Sequence, residues 1–180
     1  EITVERPGGV YVSRGGEKLA HALGHFSLDV RGMTIADLGA STGGFTDCLL
    51  RNGASLVYAI DVGYGQLDYR LRQNPSVIVV ERTNVRSLTR KQFENPPDFV
   101  TTDLSFISIL KILDVITNEL APVEGLLLIK PQFEADKSEQ KKGVVKKIEY
   151  HRTILERVIG AFPPAGVSVK GLTYSPIKGP

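Results

Sequence analysis

Two charged side chains close neighbouring apolar runs in this sequence, and its chemistry starts there. Asp103 follows Phe99-Val100-Thr101-Thr102, and Lys130 follows Gly125-Leu126-Leu127-Leu128-Ile129 and precedes Pro131. A proline directly after a strand-ending lysine withholds a backbone donor and fixes the chain where it leaves the sheet. An acid and an amine at adjacent strand ends can form an ion pair beside a ligand, a setting typical of proton-transfer groups. A plainer reading also fits, with Asp103 capping the next helix and Lys130 reaching to water.

A ligand for that cleft is suggested by Asp37-Leu38-Gly39-Ala40-Ser41-Thr42-Gly43-Gly44-Phe45, an apolar run entering a glycine-rich turn that opens a helix. Glycine belongs there because a Cβ would obstruct the tight turn and the approach of backbone to ligand. The spacing differs from the three-glycine dinucleotide fingerprint, and no lysine followed by Ser or Thr makes it a phosphate-cradling P-loop. A second run, Leu56-Val57-Tyr58-Ala59-Ile60, ends in Asp61 and then Val62. An acid about 20 residues past such glycines is placed to accept hydrogen bonds from a ribose diol. Gly39, Gly43, Gly44 and Asp61 therefore imply an adenosine-containing ligand. With Asp37 beside the turn as partner for an ammonium group, S-adenosylmethionine fits better than NAD. The alternative is that these are ordinary turn glycines with an Asp capping a strand.

These residues need a sheet to bring them together. Apolar runs alternate with helical patterns, which indicates an α/β fold, a mostly parallel sheet with helices on both faces. The expected strands are Met33 to Leu38, Leu56 to Asp61, Val77 to Glu81, Phe99 to Asp103, Gly125 to Lys130 and Val167 to Tyr174. The expected helices are Gly15 to His25, Gly43 to Asn52, Gly65 to Gln73, Ile107 to Leu120 and Ile148 to Phe162. In such folds ligands lie outside the carboxyl ends of the strands. The lysine-rich segment from Glu134 to Lys147, which follows the fifth strand, is therefore expected to be a mobile loop bordering the substrate.

Composition narrows the class. The 180 residues are 42% hydrophobic and 23% charged, ordinary for one globular domain. No apolar run approaches a membrane span and no signal-peptide pattern is visible, so a cytoplasmic location is expected. One cysteine, Cys48, excludes an internal disulfide and a cysteine-clustered zinc site, and its place on the inner side of a helix suggests a buried thiol. His21, His25 and His151 lack metal-ligand spacing and read as helix-face or surface residues. Net charge is only +2. The distribution says more: Arg82, Arg86 and Arg90 recur at four-residue intervals before Lys91, and Lys137, Lys141, Lys142, Lys146 and Lys147 crowd one stretch. Both suit phosphate neutralisation, and both also suit solvated surface charge.

Six segments together carry a resemblance. They are Tyr11-Val12-Ser13-Arg14-Gly15-Gly16-Glu17-Lys18-Leu19; the glycine turn with Phe45-Thr46-Asp47; Ala59 to Leu67; Glu81-Arg82-Thr83-Asn84-Val85-Arg86; Asp103-Leu104-Ser105-Phe106-Ile107-Ser108; and Lys130-Pro131-Gln132-Phe133-Glu134. In this order the sequence resembles the TlyA family across nearly its whole length. The resemblance implies an FtsJ-like, Rossmann-like methyltransferase fold that uses S-adenosylmethionine to methylate cytidine ribose in ribosomal RNA, the ribosomal subunit being its partner. It implies a Lys-Asp-Lys-Glu set in which Lys18, Asp103 and Lys130 fill three places. Lys130 would be the general base, Asp103 would steer it and touch the methionine moiety, and Lys18 would orient the hydroxyl or a phosphate. The fourth member, a glutamate, is expected just beyond the Ser175-Pro176-Ile177-Lys178-Gly179-Pro180 segment. It implies cofactor contacts at Asp37, Gly39, Ala40, Ser41, Thr42, Gly43, Gly44, Phe45, Asp61, Val62, Asn84, Val85 and Asp103, with Asn84 on the adenine edge. Residues 1–14 read as the lead-in from an RNA-binding domain outside this chain, and 15–180 as a methyltransferase domain whose last strand is missing. Family members also carry a haemolysin label, so a membrane-active protein is one rival, and a non-catalytic RNA- or nucleotide-binding module is the other.

Overall fold

The computed structural model describes residues 10–121 and 123–177. Its centre is a parallel sheet of five strands: β1 (Thr34–Leu38), β2 (Leu56–Ile60), β3 (Val77–Val80), β4 (Phe99–Thr102) and β5 (Glu124–Leu127), in the order β3-β2-β1-β4-β5. Strands flanked on both sides by neighbours and on both faces by helices read as continuous apolar runs, which is why β1, β2 and β4 stood out in the sequence. From β1 the chain moves to β2 on one side and later returns to β4 on the other. The carboxyl ends of β1 and β4 therefore meet at a topological switch point, where open α/β sheets hold ligands.

Period-two alternation assigns the faces. Ile35, Val57 and Phe99 pack with Leu19 and Leu23 of α1 (Gly15–His25) and with Phe45, Cys48 and Leu49 of α2 (Gly44–Arg51). Ala36, Tyr58 and Val100 face the other layer. That layer is built by Ile112, Leu113 and Ile116 of the segment after β4, and by Ile154 and Val158 of α6 (Ile148–Gly160). Cys48 is fully buried, and burial pushes its thiol up to about 11, so it is an inert core residue as expected.

Several elements differ from expectation. The helix expected over Gly65 to Gln73 shortens to α3 (Tyr69–Arg72), because Asp68 accepts from Arg70 N–H and caps it there. Ile107 to Leu120 is a composite: a 3₁₀ turn at Ile109–Ile112, a single α turn, α4 (Leu113–Val115), and a π turn at Ile116–Leu120. There the Thr117 hydroxyl donates back to the Leu113 carbonyl, a bond that competes with regular winding. Regular pairing of β5 stops at Leu127, and Lys130 instead precedes a short α5 (Pro131–Glu134) with Pro131 at its first position.

The sixth strand is the largest correction. Residues 167–174 run without strand pairing, so β5 ends the sheet among the described residues. A cavity of about 790 Å³ separates β5 from this segment, lined by apolar side chains that include Phe26, Leu126, Leu128, Phe162 and Leu172. Val167 packs partly against the core while Val169 is exposed, so the alternation in Val167-Ser168-Val169 marks no ladder here. The 134–147 segment is also more structured than its composition suggests. Arg157 pairs with Glu139 at 2.9 Å, His151 Nε2 lies 2.8 Å from the Val145 carbonyl, and Lys141 and Val144 form an isolated bridge.

Candidate active site

The glycine turn is shaped by two constraints visible in the backbone. Gly39 has φ +88°, and a Cβ there would lie 3.1 Å from the Asp103 carbonyl oxygen, so β1 and β4 can end this close together only around glycine. At Gly44 a Cβ would strike the Ser13 hydroxyl oxygen, because the lead-in to α1 lies against the start of α2. Asp61 then binds the turn to the loop after β2. Its Oδ2 accepts from Ser41 N–H at 2.8 Å and its Oδ1 from Gly63 N–H at 2.7 Å.

Beyond the turn lies a cleft of about 550 Å³ that gathers residues from five parts of the chain, Ser175 and Ile177 among them. The first turn of α1 brings Lys18, the end of β4 brings Asp103 and Ser105, and the segment after β5 brings Lys130. Asp103 stands between the two lysines, with Lys18 Nζ 3.1 Å from Oδ2 and Lys130 Nζ 2.6 Å from Oδ1. All three side chains are mostly buried. The Lys130 ammonium also lies within hydrogen-bond reach of the Ser105 hydroxyl, at 3.0 Å, and of the Asp103 carbonyl, at 3.5 Å. Two ammonium groups facing one carboxylate leave the cluster formally positive. An oxyanion or phosphate entering the cleft therefore meets preorganised positive charge and fixed donors.

Of the residues expected to meet the cofactor, Gly39, Ala40, Ser41, Thr42, Gly44, Phe45 and Asp103 line this cleft, with Lys18 and Lys130. Gly43 is the buried N-cap of α2. Asp61 and the exposed Val62 flank the turn outside the cleft, on the side of β2. Asn84 is exposed, and its side-chain carbonyl accepts from Arg86 N–H, capping a 3₁₀ turn. The Val85 side chain belongs to the core, so only its backbone can reach a ligand.

Asp37 does not take the place expected for it. Period two puts it on the face of Ile35, under α2, where it is fully buried. Its Oδ2 accepts from Thr46 Oγ at 2.7 Å and its Oδ1 from Thr101 Oγ at 3.0 Å. Burial pushes this carboxyl up to about 6. It braces the glycine turn from below and is not exposed to an ammonium group. Of the arginine row, Arg82 stacks on Tyr64 at 4.2 Å and Arg90 donates toward the Ala121 carbonyl.

Sequence reasoning missed Ser105, Arg14 and the Ser108–Glu134 contact. It also missed Phe106, 92% exposed with φ +64°, whose ring lies 5.3 Å from that of Phe133 beside the cleft. Among the described residues no group of His, Cys, Asp and Glu could hold a metal ion, and no helix is long and apolar enough to cross a membrane.

The architecture matches known proteins. A model of the FtsJ-like methyltransferase family matches residues 11–180. The chain is 48% identical over 172 residues to a Bacillus subtilis protein named "Putative rRNA methyltransferase YqxC", covering 94% of this chain and 61% of that protein. It is 41% identical over 172 residues to the 16S/23S rRNA (cytidine-2'-O)-methyltransferase TlyA of Mycobacterium tuberculosis, covering 94% of this chain and 64% of that one. A solved structure described as "Putative hemolysin from Streptococcus thermophilus" superposes with a TM-score of 0.91 at 45% identity, over 97% of this chain and 64% of the other. The chain thus spans somewhat under two thirds of the length of these relatives. With the family model matched from the lead-in to the last residue and a parallel sheet that gathers the cleft at its switch point, this chain belongs to the FtsJ-like methyltransferase family.

Proposed function

We propose that this chain is the catalytic domain of an S-adenosylmethionine-dependent enzyme that methylates the 2'-hydroxyl of cytidine in ribosomal RNA. The observation that carries the reading is the Lys18-Asp103-Lys130 cluster set against the glycine turn in one cleft. The names of the Bacillus and Mycobacterium relatives supply the RNA and nucleotide class.

The residues present fit the cofactor. A carboxylate offers about four lone-pair positions. Asp61 uses two of them on Ser41 and Gly63, which leaves acceptors for a ribose diol. The exposed Ser41 and Thr42 border the turn. S-Adenosylmethionine supplies the methyl group, as a substituent on a sulfonium.

A ribose hydroxyl is a weak nucleophile near neutral pH, so most of the rate must come from aligning it and taking its proton as it attacks. Lys130, having first released a proton to solvent to become a neutral amine, takes the hydroxyl proton on Nζ, Asp103 holds the amine in place, and Lys18 fixes the hydroxyl or the adjoining phosphate. Phe106 offers an uncovered ring on which the target base can stack.

The test is methyl transfer from labelled S-adenosylmethionine to ribosomal RNA, with the modified nucleotide mapped by primer extension. A ribose-methylated cytidine that is lost in Lys130→Ala supports the reading. Cofactor binding with no transfer in a chain extended to the length of its relatives overturns it in favour of a non-catalytic binding module.

A further inference from the structure

The loop that carries Asp103, Ser105 and Phe106 is tied to Lys18 and Lys130 at its start, through Asp103 and Ser105. It has no regular structure, and Phe106 occupies the left-handed region, which disfavours a bulky residue. With its side chain exposed, Phe106 gains little from packing. The loop ends at Ser108, the N-cap of the 3₁₀ turn at Ile109–Ile112, where the first backbone N–H groups need acceptors.

One acceptor is local, the other is not. Ser108 Oγ accepts from Leu110 N–H at 3.2 Å. Glu134 supplies the rest: its Oε1 accepts from Ile109 N–H at 2.8 Å and its Oε2 from the Ser108 hydroxyl at 2.5 Å. Glu134 ends α5, the helix that begins directly after Lys130. Its backbone carbonyl accepts from the Arg157 guanidinium at 2.9 Å, which ties α5 to α6. A single carboxylate thus joins the far end of the Asp103 loop to the element that starts at Lys130.

We propose that Glu134 is a positioning residue for methyl transfer, holding the Asp103-Ser105-Phe106 loop in register with Lys130 through Ser108 and Ile109. The proposal rests on the methyltransferase reading above. Displacements of about 1 Å at a reacting centre can cost about 10²-fold in rate, so a contact between the segments that carry the acid and the amine acts on turnover. Gly39 abuts the Asp103 carbonyl, but neither Glu134 nor Ser108 hydrogen-bonds to the glycine turn.

Glu134→Ala, Glu134→Gln and Ser108→Ala in a chain extended to the length of its relatives test this, read by steady-state transfer to ribosomal RNA, calorimetric cofactor affinity and amide hydrogen exchange. In Glu134→Ala, kcat should fall about tenfold or more while cofactor affinity stays within about twofold. Exchange should quicken over 103–109 and not over 39–45. Glutamine keeps the Ile109 acceptor and can donate to Ser108 Oγ, so Glu134→Gln should recover to within about threefold of the parent, and Ser108→Ala should fall between. Unchanged kcat in Glu134→Ala overturns the proposal. So does a joint loss of kcat, cofactor affinity and melting temperature that glutamine does not restore, which would mark a merely structural cap. Should the parent protein transfer no methyl group, the methyltransferase reading fails on its own, and unaltered exchange over 103–109 in Glu134→Ala would still refute the clamp.

Discussion

The Lys130 ammonium sits 2.6 Å from Asp103 Oδ1, yet that oxygen receives no well-directed hydrogen bond. The two are held by charge, and the same Nζ lies 3.0 Å from the Ser105 hydroxyl and 3.5 Å from the Asp103 carbonyl. Once it has released one proton, an amine aligned in this way can take another from a substrate hydroxyl while its carboxylate partner stays in place. Asp103 is also the one acid lining the cleft among the described residues.

Replacing Lys130 by Ala should therefore reduce methyl transfer by about 10²–10⁴-fold, the usual contribution of a positioned proton-transfer group. Cofactor affinity should change little, since the glycine turn and Asp61 do not rely on the amine. Rapid-quench turnover and calorimetry on the same preparation check both halves. Near-normal turnover would remove Lys130 from the mechanism.

Asp61→Ala is expected to weaken S-adenosylmethionine by about 1.5–3 kcal/mol, the range for hydrogen bonds to a charged acceptor. The loss has two sources. The diol loses its acceptor, and the Ser41 and Gly63 N–H groups lose the carboxylate that holds both loops. Titration with adenosine alone separates them: an effect of equal size there places the loss on the nucleoside side, whereas unchanged affinity for both ligands rejects the assignment.

The glycine turn, the first four strands and the Asp103–Lys130 pair were legible because each depends on local pattern, whereas Lys18 came from the family resemblance. Gly39, Gly43 and Asp61 announce turn geometry, and Asp103 and Lys130 are charges ending apolar runs. What failed depended on contacts distant in sequence. Asp37 looked available to a ligand, but the direction of a strand side chain is fixed by which face its neighbours bury, and Ile35 packs under α2. Val167 to Tyr174 looked like a strand, but a strand needs a pairing partner and this one forms no ladder with β5. Glu134 left no local trace, because the acceptor it gives Ile109 N–H lies 25 residues away in sequence.

Phe106→Ala should leave folding stability within about 0.5 kcal/mol, because the ring is almost wholly exposed. Its effect should fall on RNA. Base stacking on an aromatic is worth about 1–3 kcal/mol, so KM for the RNA should rise without a matching loss of cofactor affinity. Chemical denaturation together with steady-state kinetics tests this, and unaltered kinetics would exclude the ring from substrate contact.

Asp37 gives the protein a pH dependence whose sign is opposite to that of a salt-bridged acid. Its carboxyl is raised from 3.8 to about 6 by burial against the hydrogen bonds of Thr46 and Thr101. Between these values the folded protein holds a proton that the unfolded chain has released, so stability contributed by this group falls as pH rises through that window. At about 1.36 kcal/mol per pH unit, the full span corresponds to about 3 kcal/mol, complete above the folded value. Asp37→Asn removes the titration while its amide can still bond both threonine hydroxyls, which donate or accept. Urea unfolding at pH 4, 5, 6 and 7 should show the variant gaining on the parent steadily up to about pH 6 and no further. A constant difference across that range would mean that Asp37 stays ionised throughout, supported by its two threonines.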